Sequence, residues 1–258
     1  MISLMTLDAT QAGLSADSQR ARIEPLRQDA IDLLCCQAMT HSRDGRVHLG
    51  RLLSSTLGLT CSCFAAGRHQ PGPWPDGSAA AKGLATFTAS GVWVLNSGSF
   101  TVGEDDEEEL VQFALIRKHG VSVLVLNLHL AASTQTQVRQ LRDLLVHPLL
   151  REPYGAVALC ADREARLSGK QWQGIGARSL YSPHRTPPAT NGGGLLCLLT
   201  TKNAPVSLVA VRQPDPAFPG LAMTFEIHRA VSDKPSRLAF PLSFREQWLG
   251  YKEHRAFA

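Results

Sequence analysis

The sequence predicts an α/β protein built from two packed β-sheets with helices on their outer faces. Two runs of apolar, strand-like segments occur along the 258 residues, and each run is accompanied by only one or two helical patterns. That order of elements favours two sheets packed face to face. A doubly wound parallel sheet would need more helices between its strands. The glycine patterns that bind nucleotides in such folds, G-x-G-x-x-G and the P-loop, do not occur.

The first quarter of the chain alternates between strand and helix patterns. Residues 2–7 and 31–37 are largely apolar runs, which are typical of buried strands. Residues 15–28 and 49–57 carry apolar side chains at helical spacing. Residues 59–64 then return to a strand pattern.

Strands dominate the middle of the chain. Residues 84–88 and 92–95 have the composition of short strands. Residues 110–117 and 121–129 predict a hairpin that turns at His119-Gly120. The acidic residues 104–109 between these strands predict a solvated hairpin tip, or alternatively a segment that docks on a basic partner.

The second half begins with the clearest helix, at residues 134–147, where leucine and valine recur at helical spacing. Residues 156–161 form a short apolar run that predicts a buried strand. Three more strand patterns follow, at residues 195–200, 206–211 and 223–231.

Charge and apolar content exclude several classes of protein. The net charge is +4, which is too weak to indicate nucleic-acid binding by itself. No apolar run approaches the roughly 20 residues of a membrane-spanning helix. The opening residues lack a basic start and Asp8 interrupts their apolar stretch, so a secretory signal is not expected.

The chain contains six cysteines: Cys35, Cys36, Cys61, Cys63, Cys160 and Cys197. Most of them lie in or beside apolar, strand-like runs, which favours reduced thiols in the core over disulfide bridges or a zinc site. Because reduced cysteines are typical of intracellular proteins, the predicted location is the cytoplasm.

Four short motifs stand out along the chain. Residues 125–130 are V-L-N-L-H-L, followed by Arg-Gln-Leu at 139–141 on the predicted helix. Residues 32–38 are D-L-L-C-C-Q-A, residues 158–164 are A-L-C-A-D-R-E, and residues 225–231 are F-E-I-H-R-A-V. Taken in their order along the chain, these motifs resemble the endonuclease/exonuclease/phosphatase superfamily, which includes deoxyribonuclease I and the neutral sphingomyelinases.

The resemblance covers nearly the whole chain and implies one domain, residues 1–258. It further implies a four-layer α/β/β/α sandwich of two mostly antiparallel sheets flanked by helices. His129 corresponds to the family's catalytic histidine, Asp162 to the aspartate of Gly-Asp-Phe-Asn, and His228 to the histidine of Ser-Asp-His. Gln37 matches a family glutamine and is a candidate for substrate binding.

The chain departs from the family at four positions. Ala38 replaces the principal metal-binding glutamate, Leu196 replaces an aspartate, and Ile227 replaces the partner of the second histidine. Glu164 stands where the family has asparagine. The family's reaction, phosphoester hydrolysis, uses a Mg²⁺-type ion held by carboxylates, and an apolar side chain offers that ion no oxygen.

Two functions remain open on these grounds. The first is a non-catalytic binding or regulatory protein with a degenerate site and no cofactor. The alternative is a divergent phosphoesterase with a rebuilt Mg²⁺ or Mn²⁺ site, in which Asp8, Asp162 and Glu164 are metal ligands. Clustered carboxylates favour a bound cation, and the same residues also occur as solvated strand ends.

The loop at residues 163–194 lies over the cleft by resemblance. Arg163, Trp172 and Arg185 on this loop are candidates for gripping a phosphate-bearing ligand, although the same mixture occurs on ordinary surface loops. The expected partner is a protein or a phosphate-bearing ligand. Nothing in the sequence favours nucleic acid or a membrane.

Overall fold

The computed structural model describes residues 1–9, 16–41, 48–67, 81–103, 109–152, 154–162, 170–171, 182–183, 195–201, 206–212 and 220–228. The chain divides into two units, Met1–His228 and Arg229–Ala258, and the fold below is that of the first unit. Within the described ranges, no helix has the length and apolar character needed to cross a membrane.

One six-stranded sheet, called here sheet A, combines strands from both ends of the first unit. Its strands are β1 (Ile2–Asp8), β2 (Leu33–His41), β3 (Thr60–Ala66), β4 (Ala81–Thr88), β11 (Val206–Arg212) and β12 (Ala222–Ile227). Their order across the sheet is β11-β12-β1-β2-β4-β3. β1 is parallel to β2 and antiparallel to β12, so it occupies an interior position.

The second six-stranded sheet, sheet B, contains the middle of the chain. Its strands are β5 (Trp93–Val102), β6 (Glu109–Lys118), β7 (Val121–Leu128), β8 (Ala156–Ala161), β9 (Ser182–Pro183) and β10 (Leu195–Thr200). Their order is β5-β6-β7-β8-β10-β9. β7 and β8 are parallel, and the other pairs described in this sheet are antiparallel.

The two sheets pack face to face through a shared apolar core. Alternate residues of the central strands point into it, including Leu33 and Cys35 of β2, Val123 and Val125 of β7, and Ala158 of β8. This arrangement confirms the prediction of two packed sheets. Strands that are buried on both faces also need a second layer on the outer side of each sheet.

Helices supply those outer layers. On sheet A, α1 (Ala16–Ile23), a 3₁₀ turn (Glu24–Gln28) and α2 (His48–Leu57) surround a second apolar cluster that includes Met5 and Phe87. On sheet B, α3 (Thr134–Val146) connects β7 to β8. The predicted four-layer sandwich is therefore confirmed.

The β6–β7 hairpin turns at the two predicted residues. His119 has a φ of 50° and Gly120 a φ of 77°. Positive φ at both central positions defines a turn whose twist matches that of the flanking strands. Glycine adopts this conformation without strain, whereas His119 is a side-chain-bearing residue held there by the ten- and eight-residue strands on either side.

β5 is longer than the predicted segment 92–95, because it pairs with β6 from Trp93 to Val102. Its last seven residues, N-S-G-S-F-T-V, lack an apolar run because β5 is an edge strand with much of its surface exposed. An edge strand needs fewer apolar residues than a central one.

All six cysteines lie in the described ranges and are thiols, and Cys35, Cys36, Cys160 and Cys197 are buried as predicted, whereas Cys61 is exposed. Burial raises the pKa of the Cys197 thiol to about 12. The Cys197 thiol therefore stays protonated at neutral pH and packs as a small apolar group.

Candidate functional site

The carboxyl ends of the two parallel strand pairs lie at one edge of the sandwich, called here the site edge. In sheet A, Asp8 at the end of β1 pairs in register with Gln37 of β2. In sheet B, β7 and β8 end in register, so His129 and Asp162 leave their strands side by side. A hydrogen bond of 2.7 Å from Gln37 Nε2 to Asn127 Oδ1 joins the two sheets directly beside this edge.

His129 and Asp162 form a close pair at the site edge. The Nδ1 atom of His129 lies 2.5 Å from Oδ2 of Asp162. The other carboxylate oxygen of Asp162 accepts a hydrogen bond of 3.1 Å from the backbone N–H of Leu130. The Asp162 side chain is only 2% exposed, whereas that of His129 is 33% exposed. A buried carboxylate thus orients an imidazole that is reachable from solvent.

This geometry is the one that acid–base chemistry requires of a histidine. A carboxylate at Nδ1 fixes the ring orientation and the tautomer, and it stabilises the charged form of the ring. Sequence patterns did not indicate that Asp162 itself orients His129, because the two residues are 33 positions apart and only the parallel pairing of β7 with β8 brings them together.

Gln37 does not reach the cleft. Its side chain is fully buried, its Oε1 accepts from Thr6 Oγ1 at 2.9 Å, and its Nε2 donates to Asn127. The substrate-binding role predicted for Gln37 is therefore wrong, because both ends of its amide are bonded inside the protein.

Gln37 instead belongs to a chain of buried, hydrogen-bonded polar side chains between the sheets. This chain is called here the amide ladder and consists of Thr6, Gln37, Asn127, Gln112 and Thr86. Asn127 Nδ2 donates to Gln112 Oε1 at 3.2 Å, and Thr86 Oγ1 donates to the same oxygen at 2.8 Å. Sequence reasoning missed this ladder. Its only signal is a polar residue in the middle of otherwise apolar strands, as at Gln112 in L-V-Q-F-A-L-I.

Ala38 lies next to the ladder, where the resemblance places the metal-binding glutamate. Its φ of 52° is left-handed, which is unusual for a residue with a Cβ. It belongs to the bulge between Cys36 and Met39 where β2 pairs with β4. Bulges commonly redirect a side chain next to a functional site. Here the redirected side chain is a methyl group.

The described residues do not fit a Mg²⁺ ion, which binds through carboxylate and water oxygens. Ala38 offers none, and Leu196 is buried in the core between the sheets. Both carboxylate oxygens of Asp162 already accept protein hydrogens. Across the ranges that the structure describes, no group of three or more His, Cys, Asp or Glu residues is placed to hold a metal.

His228 lies at the opposite edge of the sandwich, so the prediction that it shares a cleft with His129 is wrong. β12 runs antiparallel to β1 and pairs Phe225 with Ile2, which puts its end beside the start of β1. Ile227 Cδ1 lies 3.7 Å from where a side chain on Gly155 would begin, just before β8. The six residues of β8 separate that point from Asp162 by about 20 Å.

His228 instead contacts β11, where its Nε2 lies 2.6 Å from Ser207 Oγ on an exposed surface. Ile227 therefore does not occupy the position of an orienting carboxylate for the site, and Glu226 of β12 lies at the same far edge. The position of His228 was predicted wrongly because a histidine motif beside a strand does not show which end of that strand faces the site.

The remaining predicted site residues, Arg163, Glu164, Trp172 and Arg185, lie outside the described residues, as do residues 104–108 of the acidic run. Asp8 is partly exposed at the site edge. Of the predicted site residues within the described ranges, the structure thus brings Asp8, His129 and Asp162 to one edge.

Solved structures of other proteins share this fold at low sequence identity. The catalytic domain of human Nocturnin, with bound sulfate anion, matches with a TM-score of 0.62 at 16% identity, over 88% of this chain and 93% of that chain. An endonuclease/exonuclease/phosphatase from Beutenbergia cavernae matches with a TM-score of 0.62 at 15% identity, over 88% and 71% of the two chains.

A mannosyl-6-phosphatase from Bacteroides thetaiotaomicron matches with a TM-score of 0.57 at 10% identity, over 88% of this chain and 100% of that chain. No family model matches the chain, and no curated protein matches it significantly. The first unit therefore has the fold of the endonuclease/exonuclease/phosphatase structures, with a histidine–aspartate pair at the carboxyl ends of its parallel strands.

Proposed function

We propose that this chain is a binding or regulatory protein that uses the endonuclease/exonuclease/phosphatase fold as a scaffold and does not hydrolyse phosphate esters. The observation that carries the proposal is Ala38. It stands at the site edge where the resemblance puts a direct metal ligand, and its methyl group coordinates nothing.

The loss of this ligand is severe in physical terms. Removing even a residue that only supports a metal ligand costs 10–100-fold in affinity or activity. Loss of a direct carboxylate removes both a coordinating oxygen and a negative charge. Asp8 lies nearby but belongs to β1, one strand away from the bulge at Ala38.

The ligand class that fits best is a phosphate-bearing molecule or a protein that presents one. His129 supplies a polar, partly exposed ring at the site edge. The predicted contacts from Arg163, Trp172 and Arg185 add guanidinium and aromatic groups, which recognise phosphates and bases through bidentate hydrogen bonds and stacking.

Calorimetric titration with Mn²⁺ tests the proposal. The wild-type protein is expected to show no saturable binding in the sub-millimolar range. Ala38→Glu adds a carboxylate at the bulge and is expected to bind Mn²⁺ at least about tenfold more tightly. Ala38→Gln has nearly the same size and no charge, so it serves as the control and is expected to behave as wild type.

Sub-millimolar Mn²⁺ binding by the wild-type protein, together with hydrolysis of a generic phosphodiester, would overturn this proposal. No gain with Ala38→Glu would show that Ala38 does not occupy the ligand position.

A divergent phosphoesterase is the second candidate, and the His129–Asp162 pair favours it, because an oriented imidazole is a competent acid or base. This candidate predicts EDTA-sensitive hydrolysis that His129→Ala abolishes. His228→Ala is the matched control, since His228 lies at the far edge. An equal rate in wild-type and His129→Ala proteins excludes it.

A further inference from the structure

The three residues that follow β7, called here the 129–131 turn, are fastened by polar contacts from two directions. Asp162 binds the His129 ring and the Leu130 N–H. From α3, Gln140 Oε1 accepts from the Ala131 N–H at 3.1 Å, and Gln137 Nε2 donates to the Ala131 carbonyl at 2.9 Å. Both backbone groups of Ala131 are thus held by helix side chains.

The two glutamines hold Ala131 at a cost to the stability of the fold, because half of each buried amide is unpaired among the described residues. Both are buried, with exposed fractions of 3% for Gln137 and 0% for Gln140. Each uses one end of its amide on Ala131, and the other ends, Gln137 Oε1 and Gln140 Nε2, have no hydrogen-bond partner among the residues that the structure describes. A buried polar atom without a partner destabilises the fold, because its desolvation is not compensated.

Gln112 of the amide ladder provides the contrast, since its Nε2 donates to the Leu84 carbonyl and its Oε1 accepts from Thr86. Packing alone therefore gives no reason for a pair of half-satisfied glutamines on α3. Residues that break local stability rules concentrate at functional sites.

We propose that Gln137 and Gln140 are positioning residues, which hold Ala131 so that the turn presents the His129 ring to Asp162. This inference rests on the proposed role of the site edge. It assigns the two glutamines an effect on His129 that is separate from their effect on the stability of the fold.

The test is the double variant Gln137→Met/Gln140→Met, which keeps side-chain length and removes both contacts to Ala131. Side-chain ¹⁵N NMR shifts of His129, identified by their loss in His129→Asn, report which ring nitrogen carries the proton. Wild type is expected to show one form, protonated at Nδ1. The double variant is expected to show averaged shifts, with a Tm within about 6 °C of wild type, because it loses two partly exposed hydrogen bonds.

Gln135→Met is the matched control, because Gln135 is an exposed glutamine on the same helix. It is expected to keep both the wild-type shifts and the wild-type Tm. Two single variants separate the role of the acceptor. Gln140→Met removes the acceptor of the Ala131 N–H, whereas Gln140→Glu keeps one. The Gln140→Glu protein is expected to show more of the Nδ1-protonated form of His129 than the Gln140→Met protein.

Two results would overturn the inference: unchanged His129 shifts in the double variant, or altered shifts accompanied by a Tm loss above about 6 °C, which would indicate a purely structural role. Adding inorganic phosphate to the wild-type protein separates this inference from the proposed function. If the His129 signals do not respond to phosphate while the double variant still loses the Nδ1 form, the positioning role stands and phosphate recognition fails.

Discussion

Gln37 and Asn127 belong to different sheets, yet their side-chain amides are joined by a hydrogen bond of 2.7 Å from Nε2 to Oδ1. Asn127 also donates to the carbonyls of Cys36 and Ala85, at 3.2 and 3.1 Å. One side chain thus ties a strand of sheet B to two strands of sheet A, in an interior where unmet polar groups are costly.

Asn127→Leu is therefore expected to reduce the free energy of unfolding by about 2–4 kcal/mol, because it leaves the Gln37 amide without its acceptor. Urea denaturation measures the loss. Asn96→Leu is the control on an exposed position of β5 and is expected to change stability by less than about 0.5 kcal/mol. Equal effects of the two substitutions would contradict a special role for the ladder.

Gly83→Ala is expected to destabilise the protein by at least about 2 kcal/mol, since the added methyl overpacks the contact between β3 and β4. Its Cβ would overlap the Ala65 carbonyl oxygen and lie 2.8 Å from the Phe64 ring. Thermal unfolding provides the measurement. Gly91→Ala is the matched control, because nothing lies within 4 Å of its Cβ position. A Gly83→Ala protein as stable as Gly91→Ala would show that the two strands separate easily.

Stability is expected to fall as pH drops below about 6.5, through His147. Burial first, and then the charge of Arg151, lower the pKa of His147 in the folded protein. The unfolded chain therefore binds a proton at a pH where the folded protein does not. The contribution of neutral His147 is complete above the unfolded pKa and is lost as pH falls from there towards the folded pKa.

The neutral ring has two contacts that require this form or benefit from it. Its Nδ1 accepts a hydrogen bond of 3.2 Å from the Leu149 N–H, and it stacks on Phe100 at 3.9 Å between ring centroids. His147→Asn keeps a capping acceptor without titrating. Urea unfolding at pH 7.5 and 5.5 should show a smaller pH-dependent loss in His147→Asn than in wild type. Identical losses would assign the effect to other groups.

Leu196→Asp is expected to unfold the protein or to destabilise it by more than about 3 kcal/mol, without creating a metal site. Leu196 is buried between the sheets in a cluster of apolar residues, and its cross-strand neighbour is Cys160. No member of that cluster carries a positive charge that could pair with an aspartate. Leu95→Asp on the exposed edge strand β5 is the control and should be tolerated. Circular dichroism and Mn²⁺ calorimetry provide both measurements. A folded Leu196→Asp protein that binds Mn²⁺ would place this position in the cleft.

The elements that the sequence predicted well are those whose pattern reports burial directly. β8 and β10 have the predicted bounds, since A-V-A-L-C-A and L-L-C-L-L-T are short, almost wholly apolar runs of strand length. α3 was predicted by its spacing of leucines. β5 was predicted only at its start, because an exposed edge strand imposes no apolar pattern on its residues.

The site was predicted in part, and for a physical reason. His129 and Asp162 each directly follow a buried strand, and the ends of adjacent parallel strands meet by necessity. His228 also follows a buried strand, but β12 runs in the opposite direction, so its end faces away from the site. Strand direction depends on pairing across the sheet, which a motif of four or five residues does not contain.

The interior position of β1 governs when the first unit can form. β1 is synthesised long before β12, its partner strand, whose last residue is Ile227. During synthesis, β1 and β2 can associate early, but one flank of β1 keeps its backbone N–H and C=O groups unpaired until more than two hundred further residues have left the ribosome. Because β1 and β12 pair late, folding is slow and the unpaired edge of β1 can meanwhile pair with other chains. The nascent protein is therefore expected to depend on chaperones more than a protein with mostly local contacts does.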